Sequence, residues 1–413
     1  MYILFSAYDK LLYRFVRTSF LKWFLSLFFK DLIVSWKKTN FSNDKFLDEN
    51  ADQINNICFS HSFSVEHLEE LRNLPEFQKI TYTNLEIFKF IHKELNLRSV
   101  RIGIRWNKVD FEGNINISYY KDYILYCLKN NIDICLNIGP IKTFRWPEVY
   151  IPDYIIRQSG ISTINHEIPA KGLLFEQAKA YLTKLFQALK AEFGDDFFDK
   201  IKCVQTDNEL FNPFGEKQWT PSIDFEAEMV KIVRQYFSKS KILISYSGGP
   251  NLHNIFNPEV FKVLNLIKRL RNSMTEKDFV IGSNYYYKVP GFPELSNGLM
   301  IDNFSFLKLL NGKNIFNKII SLNQQNHTDL EVSELQFEPW GEVTTPGSSL
   351  SEFQFTLLRV CEDLKSAHLS SLLQIRLWGS ELYALRLLTN PSDEILQIKD
   401  LILRIQNKLE IEK

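Results

Sequence analysis

Short apolar runs alternate with segments of helical hydrophobic spacing about eight times along this 413-residue chain, and that alternation restricts the fold more than any other feature. The strand-like runs are Ile57 to Phe63, Ser99 to Trp106, Ile132 to Ile138, the run closing on Glu209, Ile242 to Tyr246, Phe279 to Tyr286, Leu330 to Glu334, and Leu372 to Trp378. Amphipathic spacing fills the intervals at Asn84 to Leu95, Ser118 to Leu128 and Leu174 to Phe193, and at roughly 224–238, 258–271, 303–321, 350–368 and 393–408. Strand-helix alternation gives a parallel sheet, because each crossover helix covers a face, and strands covered on both faces read as near-continuous apolar runs. Eight such units predict a closed (β/α)8, or TIM, barrel over residues 51–413. An N-terminal helical extension over 1–50 precedes it. The rival is an open doubly wound sheet, but no Gly-x-Gly-x-x-Gly follows an early strand, so its dinucleotide-binding version lacks the phosphate-cradling loop.

Hydrophobic residues make up 45% of the chain, enough for a large core, which excludes the disordered and disulfide-scaffold classes. Lys plus Arg equals Asp plus Glu at 49 each, so no overall field favours nucleic acid as a partner. No Walker-type loop, His-Glu-x-x-His helix or Cys-x-x-Cys pair is present, so no metal and no cofactor is expected. The five cysteines, Cys58, Cys127, Cys135, Cys203 and Cys361, are odd in number and widely spaced. They read as free thiols in a reducing, cytoplasmic compartment. In residues 1–40, Lys22, Lys30 and Asp31 interrupt the aromatic run around Trp23 to Phe29, so no stretch reaches the roughly 20 apolar residues of a membrane span. No small-residue cleavage site follows it either. Two readings stay open there: a basic, aromatic helix in peripheral contact with a membrane, or a helix packed on the main domain. Binding of a 1–45 peptide to anionic vesicles separates them.

A barrel of this kind carries its chemistry where the strands end. Those ends bear Arg101 and Arg105 on strand two, Asn137 on strand three, Asn208 and Glu209 after strand four, and Asn284, Tyr285 and Tyr286 on strand six. Glu334 ends strand seven and Trp378 strand eight. Each has a structural explanation when taken singly: an Asn-Glu pair can cap a helix, and a Glu after a strand can be a solvated loop residue. Together they place two carboxylates at the ends of two strands, which is what chemistry on a glycosidic bond requires. Aromatic residues are 14% of the chain, and sugars stack on such rings.

From residue 55 to 410 this arrangement resembles the retaining glycoside hydrolases of the large (β/α)8 clan that contains cellulases, β-mannanases and β-galactosidases. The resemblance implies that Glu209 is the general acid/base, that Asn208 holds the hydroxyl next to the reacting carbon, and that Glu334 is the nucleophile. It implies that Arg101 keeps Glu334 ionised, that Tyr286 donates a hydrogen bond to it, and that Trp378 floors the sugar site. Arg105, of the same strand parity as Arg101, joins them nearer the mouth. An oligosaccharide or other glycoside is the implied substrate. Many clan members carry a histidine where this chain has Asn137-Ile138-Gly139-Pro140, and Lys142, Arg145 and Trp146 stand near enough in sequence to replace it. The loop from Gly139 to Tyr154 resembles the β-galactosidase-like branch, and Trp340 follows strand seven where a distal subsite would lie. Glu331 and Glu338 are rival nucleophiles, and strand alternation puts Glu331 on the face opposite Glu334. Three other outcomes remain: transglycosylation through the same intermediate, a catalytically silent carbohydrate-binding barrel, and a phosphate-using lyase or isomerase. The last lacks a Gly-rich loop after strands seven and eight.

Overall fold

The computed structural model describes residues 42–145, 147–161, 163–164, 166–213, 215–247, 259–271, 273–275, 278–286, 288–290, 300–302, 329–338, 349–365 and 373–411. Its centre is a closed parallel barrel. The strands are β1 (Ile57–Phe63), β2 (Ser99–Gly103), β3 (Asp133–Asn137), β4 (Cys203–Gln205), β5 (Lys241–Tyr246), β6 (Phe279–Tyr285), β7 (Asp329–Gln336) and β8 (Leu373–Trp378). Each pairs with its neighbour in sequence. The register from Ile57 opposite Leu373 to Ser62 opposite Trp378 joins β8 to β1, which excludes an open sheet.

Helices Asn84–Glu94, Ser118–Lys129, Leu173–Phe193, Ile223–Tyr236, Glu259–Leu270, Leu350–Lys365 and Asp393–Ile411 fall where the periodicity puts them. The Asn84 helix starts at a capping box, in which Thr83 accepts from the Glu86 amide while Glu86 accepts from the Thr83 amide. The expected 303–321 helix lies outside the described residues. Two further helices, Val65–Arg72 and Ser380–Thr389, follow β1 and β8 directly. Both bury acids, Glu66 and Glu381, among their apolar residues, and polar groups on the core face hide the helical period from a hydrophobicity reading. A short helix, Asn43–Glu49, lies within the expected N-terminal extension, and Asn43 and Asp44 bond to Asp400 and Arg404 of the last helix. Among the described residues no helix is long and apolar enough to cross a membrane, and all five cysteines are unbridged.

Outward side chains of the strands, such as Phe59, Phe63, Ile102, Leu136, Val204, Ile242, Ile244, Ile281, Ile375 and Leu377, are buried. Each such side chain contributes roughly 1.5–3 kcal/mol of burial. The interior is different. Arg101 of β2 reaches Gln205 of β4 and Glu334 of β7, and Gln374 of β8 reaches Ser99 of β2, contacts between non-neighbouring strands that run through the middle of the barrel. The interior therefore holds polar and ion-paired groups, while the helices seal the outside.

One irregularity resets which residues of β7 face inward. Val332 pairs with Ser283 but Glu334 pairs with Asn284, so Ser333 is an extra residue opposite the β6–β7 ladder, a β-bulge. Gly282 of β6 makes room for it, since a Cβ there would lie 2.7 Å from the Ser333 side chain. Simple alternation would send Glu331 and Glu334, three residues apart, to opposite faces. Instead, Glu331 pairs with Arg376, which shares its side of β8 with Gln374 and Trp378, so both glutamates point inward. The expectation that Glu331 faces away is corrected by this bulge.

Candidate active site

The strand-four segment ends earlier than the sequence suggests. β4 stops at Gln205, and Thr206 to Glu209 form a tight turn in which Glu209 adopts φ 42°, a left-handed conformation unusual for a non-glycine residue. The turn is held at several points. Asp207 Oδ1 accepts from the Ile141 and Lys142 amides at 2.9 and 2.6 Å. The Asn208 amide donates to the Lys142 carbonyl, and the Glu209 amide donates to Ser245 Oγ on β5 at 3.0 Å. Backbone strain at the residue carrying a carboxylate, fixed by its surroundings, is a feature of functional sites.

Glu209 and Glu334 meet across the barrel mouth. The Nδ2 of Asn284 donates to Glu209 Oε1 at 2.5 Å and to Glu334 Oε2 at 3.3 Å. Those two oxygens are therefore no more than 5.8 Å apart, the combined length of the two bonds. Ser333 donates to Asn284 Oδ1 at 2.6 Å, which turns the amide nitrogen toward the carboxylates. The bulge that aims Glu334 inward thus also aims Asn284.

The two carboxyls have different environments. Arg101 Nη2 donates to Glu334 Oε1 at 2.5 Å, and the Tyr286 hydroxyl donates to Glu334 Oε2. Arg101 is itself fixed by donating to Ser62, Gln205 and Asn208, with its guanidinium 4.4 Å from the centre of the Phe144 ring. Among the described residues no cation bonds to the Glu209 carboxylate; Asn212 Nδ2 donates to its Oε2 at 2.8 Å, and Lys142 donates to its backbone carbonyl. Burial, the Glu148 charge and the Glu334 charge together push its carboxyl well above the usual range. Burial beside Glu334 likewise keeps the Tyr286 phenol protonated.

Glu148 is a third acid at this mouth, and no motif in the sequence singled it out. It sits at φ 70° in the loop after β3, with its Oε2 2.8 Å from Lys142 Nζ. Lys142 also donates to the carbonyls of Glu209 and Asn212, so one buried ammonium ties Glu148 to the strand-four turn. Burial raises the Glu148 carboxyl against the opposing pull of Lys142.

The other expected site residues divide. Asn208 Oδ1 accepts from Arg101 and Gln205, leaving its Nδ2 without a partner among the described residues. Trp378 lies at 5.7 Å, edge to face, from Tyr286, and the Arg145 guanidinium is 4.3 Å from its ring centre. Asn137 is buried and occupied by backbone, donating to the carbonyls of Gln205 and Thr206 and accepting from the Phe144 amide. It holds the loops together. Arg105 follows β2 as the cap of the Trp106–Val109 turn and binds Ser64, Glu66 and the Tyr150 ring, away from the carboxylate pair. Trp146 and Trp340 lie outside the described residues. Of the rival nucleophiles, Glu331 has both oxygens on Arg376. Glu338 is bound by Arg145 and His67; burial opposes its charge, but those cations outweigh it and hold the carboxyl down to about 2. The helix start Gly379 packs on Glu338 at φ 105°, where a side chain would collide with it.

The fold and site define a (β/α)8 barrel with a buried carboxylate pair at the C-terminal ends of its strands. No protein-family model matches the sequence, and no curated protein does. Among solved structures it is similar to the intracellular xylanase TsXylA from Thermoanaerobacterium saccharolyticum JW/SL-YS485, at 12% identity and TM-score 0.45, over 83% of this chain and 90% of that one. It is also similar to an endo-1,4-β-xylanase from Caldicellulosiruptor owensensis, at 12% identity and TM-score 0.43, over 80% and 87%. An exo-β-1,4-mannosidase, Op5Man5 from Opitutaceae bacterium strain TAV5, is similar at 13% identity and TM-score 0.48, over 78% of this chain and 52% of that one. Likeness this distant says nothing about what this chain acts on.

Proposed function

We propose that the protein is a retaining β-glycoside hydrolase. The observation that carries this reading is the bridging of Glu209 and Glu334 by the single Asn284 amide, which keeps one oxygen of each within 5.8 Å of the other. Carboxyl groups about 5–5.5 Å apart suit a covalent glycosyl-enzyme route, whereas inversion needs about 6.5–9.5 Å to fit a water.

The unequal environments assign the roles. Glu334, with Arg101 and Tyr286 donating to it, is the nucleophile that attacks the anomeric carbon. Glu209, neutral because it is buried among other acids, protonates the departing glycosidic oxygen. Attack turns Glu334 into an uncharged ester, which removes one of the charges that raise Glu209. Glu209, its proton already given to the leaving group, then stays ionised more readily and accepts a proton from the incoming water, whose attack on the anomeric carbon breaks the ester bond to Glu334 and releases the sugar with its original configuration. Asn208 Nδ2, turned away from Arg101, is free to hold the hydroxyl beside the reacting carbon. Trp378, whose ring lies edge to face with Tyr286, is the aromatic surface offered to a sugar. Interception by a sugar hydroxyl instead of water would give transglycosylation at the same site, and product analysis with added acceptor sugars separates the two.

A panel of 2-fluoro glycosides, followed by peptide mass mapping, tests the assignment. The label is expected on the peptide carrying Glu334, and the sugar that labels identifies the substrate class. Label on any peptide without Glu334 would sink the mechanism.

A further inference from the structure

Behind the Asn208-Glu209 turn lie two acids the mechanism does not use, Asp207 of the turn and Glu226 in the first turn of the Ile223–Tyr236 helix, both fully enclosed. Each spends one oxygen on neighbouring donors. Asp207 Oδ1 takes the Ile141 and Lys142 amides, and Glu226 Oε1 takes the Thr206 hydroxyl. Asp207 Oδ2 and Glu226 Oε2 remain, both buried and, among the described residues, without a donor. The two carboxyls nevertheless lie within hydrogen-bonding reach of each other. Two bare carboxylates cannot make that bond, and burying a pair of like charges in contact is prohibitive.

We propose that Asp207 and Glu226 share one proton at neutral pH, Glu226 donating to Asp207, and that this acid–carboxylate bond is the positioning element that fixes the turn carrying Asn208 and Glu209. The charged and titratable groups around the pair fit one proton rather than two or none. Lys142 faces Asp207 from the loop after β3 and favours a single negative charge there, although its ammonium bonds to Glu148 and to two carbonyls. Tyr181, from the Leu173–Phe193 helix, is near enough to sense the Asp207 charge, but its hydroxyl bonds to neither acid. Among the described residues, the polar groups that act on Glu226 are those of Thr206 and Asp207. Burial lifts both acids, Asp207 to about 6 and Glu226 well above the ordinary carboxyl range. The resulting staple joins three units: the loop after β3, through the Ile141 and Lys142 amides; the turn after β4; and the helix that follows it.

The test counts protons and needs no turnover, so its outcome is independent of the glycosidase reading. In a Glu209→Gln background, the folded protein at pH 7 is expected to show a carboxylic-acid C=O band in the infrared. Glu226→Gln removes it, because the Gln amide donates to Asp207 in place of the acid. Asp207→Asn removes it as well, because the Asn amide then donates to an ionised Glu226; this second variant serves if the first does not fold. The shared proton also stabilises the fold below the ordinary carboxyl range, and this stability is lost as pH rises toward the pair's raised value. Each amide variant therefore takes up one proton fewer on folding between those limits. In the parent background, Glu226→Ala is expected to cost about ten-fold or more in turnover through misplacement of Glu209, and Glu226→Gln to restore most of it. A band missing from the Glu209→Gln protein, or surviving both amide substitutions, would overturn the proposal.

Discussion

Two glutamate–arginine pairs occupy the same barrel, three residues apart on the same strand. Deeper in, Glu331 gives both oxygens to Arg376, at 2.7 and 2.9 Å. At the mouth, Glu334 gives only one oxygen to Arg101 and shares the other between Tyr286 and Asn284. A closed, bidentate pair leaves no oxygen of Glu331 uncommitted, so it is a structural filling of the barrel. The Glu334 carboxyl meets one arginine and two neutral donors instead of a closed fork. The same two residue types thus serve as a strut or, in the proposed mechanism, as a nucleophile and its partner, according to how the neighbours engage the carboxyl.

The strongest test of that contrast is Glu334→Ala. It should lower turnover by roughly 10⁴-fold or more, with azide restoring part of the activity as a glycosyl azide of inverted configuration. Near-parental turnover in this variant would remove Glu334 from the chemistry. Glu331→Ala should do the reverse. Stranding Arg376 in the interior should cost about 3–5 kcal/mol of stability in urea unfolding, with turnover per folded molecule changed far less than by Glu334→Ala. If Glu331→Ala unfolds no earlier than the parent, the deep pair is not a strut.

Two smaller changes sharpen the mouth side. Tyr286→Phe removes a donor to Glu334 and should lower kcat/KM by about 10²-fold, measured on an activated aryl glycoside, with little change in fold. An unchanged rate would show that Arg101 alone sets the state of Glu334. Glu148→Gln removes a negative neighbour that helps keep Glu209 protonated. Glu209 must begin protonated, so activity falls as pH rises through its raised value, and without the Glu148 charge that fall should come at lower pH. A kcat/KM profile whose alkaline limb does not move toward acid would exclude Glu148 from control of the proton donor.

Much of this was legible in the chain. The near-continuous apolar runs mark parallel strands because the outward face is sealed by helices and the inward face is enclosed by the barrel. Strand ends marked Glu209, Glu334, Arg101, Tyr286 and Trp378 as neighbours, and the structure brings all five to one mouth. Other points had no local signal. The bulge at Ser333 depends on the space opposite Gly282, which belongs to another strand. Arg105 shares the parity of Arg101 in sequence, yet the chain leaves the strand after Gly103, and Arg105 turns to Glu66. Asn137 looked like a sugar ligand because it ends a strand, but its amide is taken up by the backbone of the next turn.

The sequence by itself determined the barrel and the presence of two carboxylates at its mouth, because hydrophobic period and residue type are local properties that survive reading in one dimension. Only the tertiary structure decided how those carboxylates differ. The state of a carboxyl depends on burial, on the charges within a few ångströms and on which donors its lone pairs have spent, and here those come from β2, β6 and the loop after β3. The bond from Asn284 to both acids, and the proton assigned to Asp207 and Glu226, arise from residues distant in the chain that folding alone brings together.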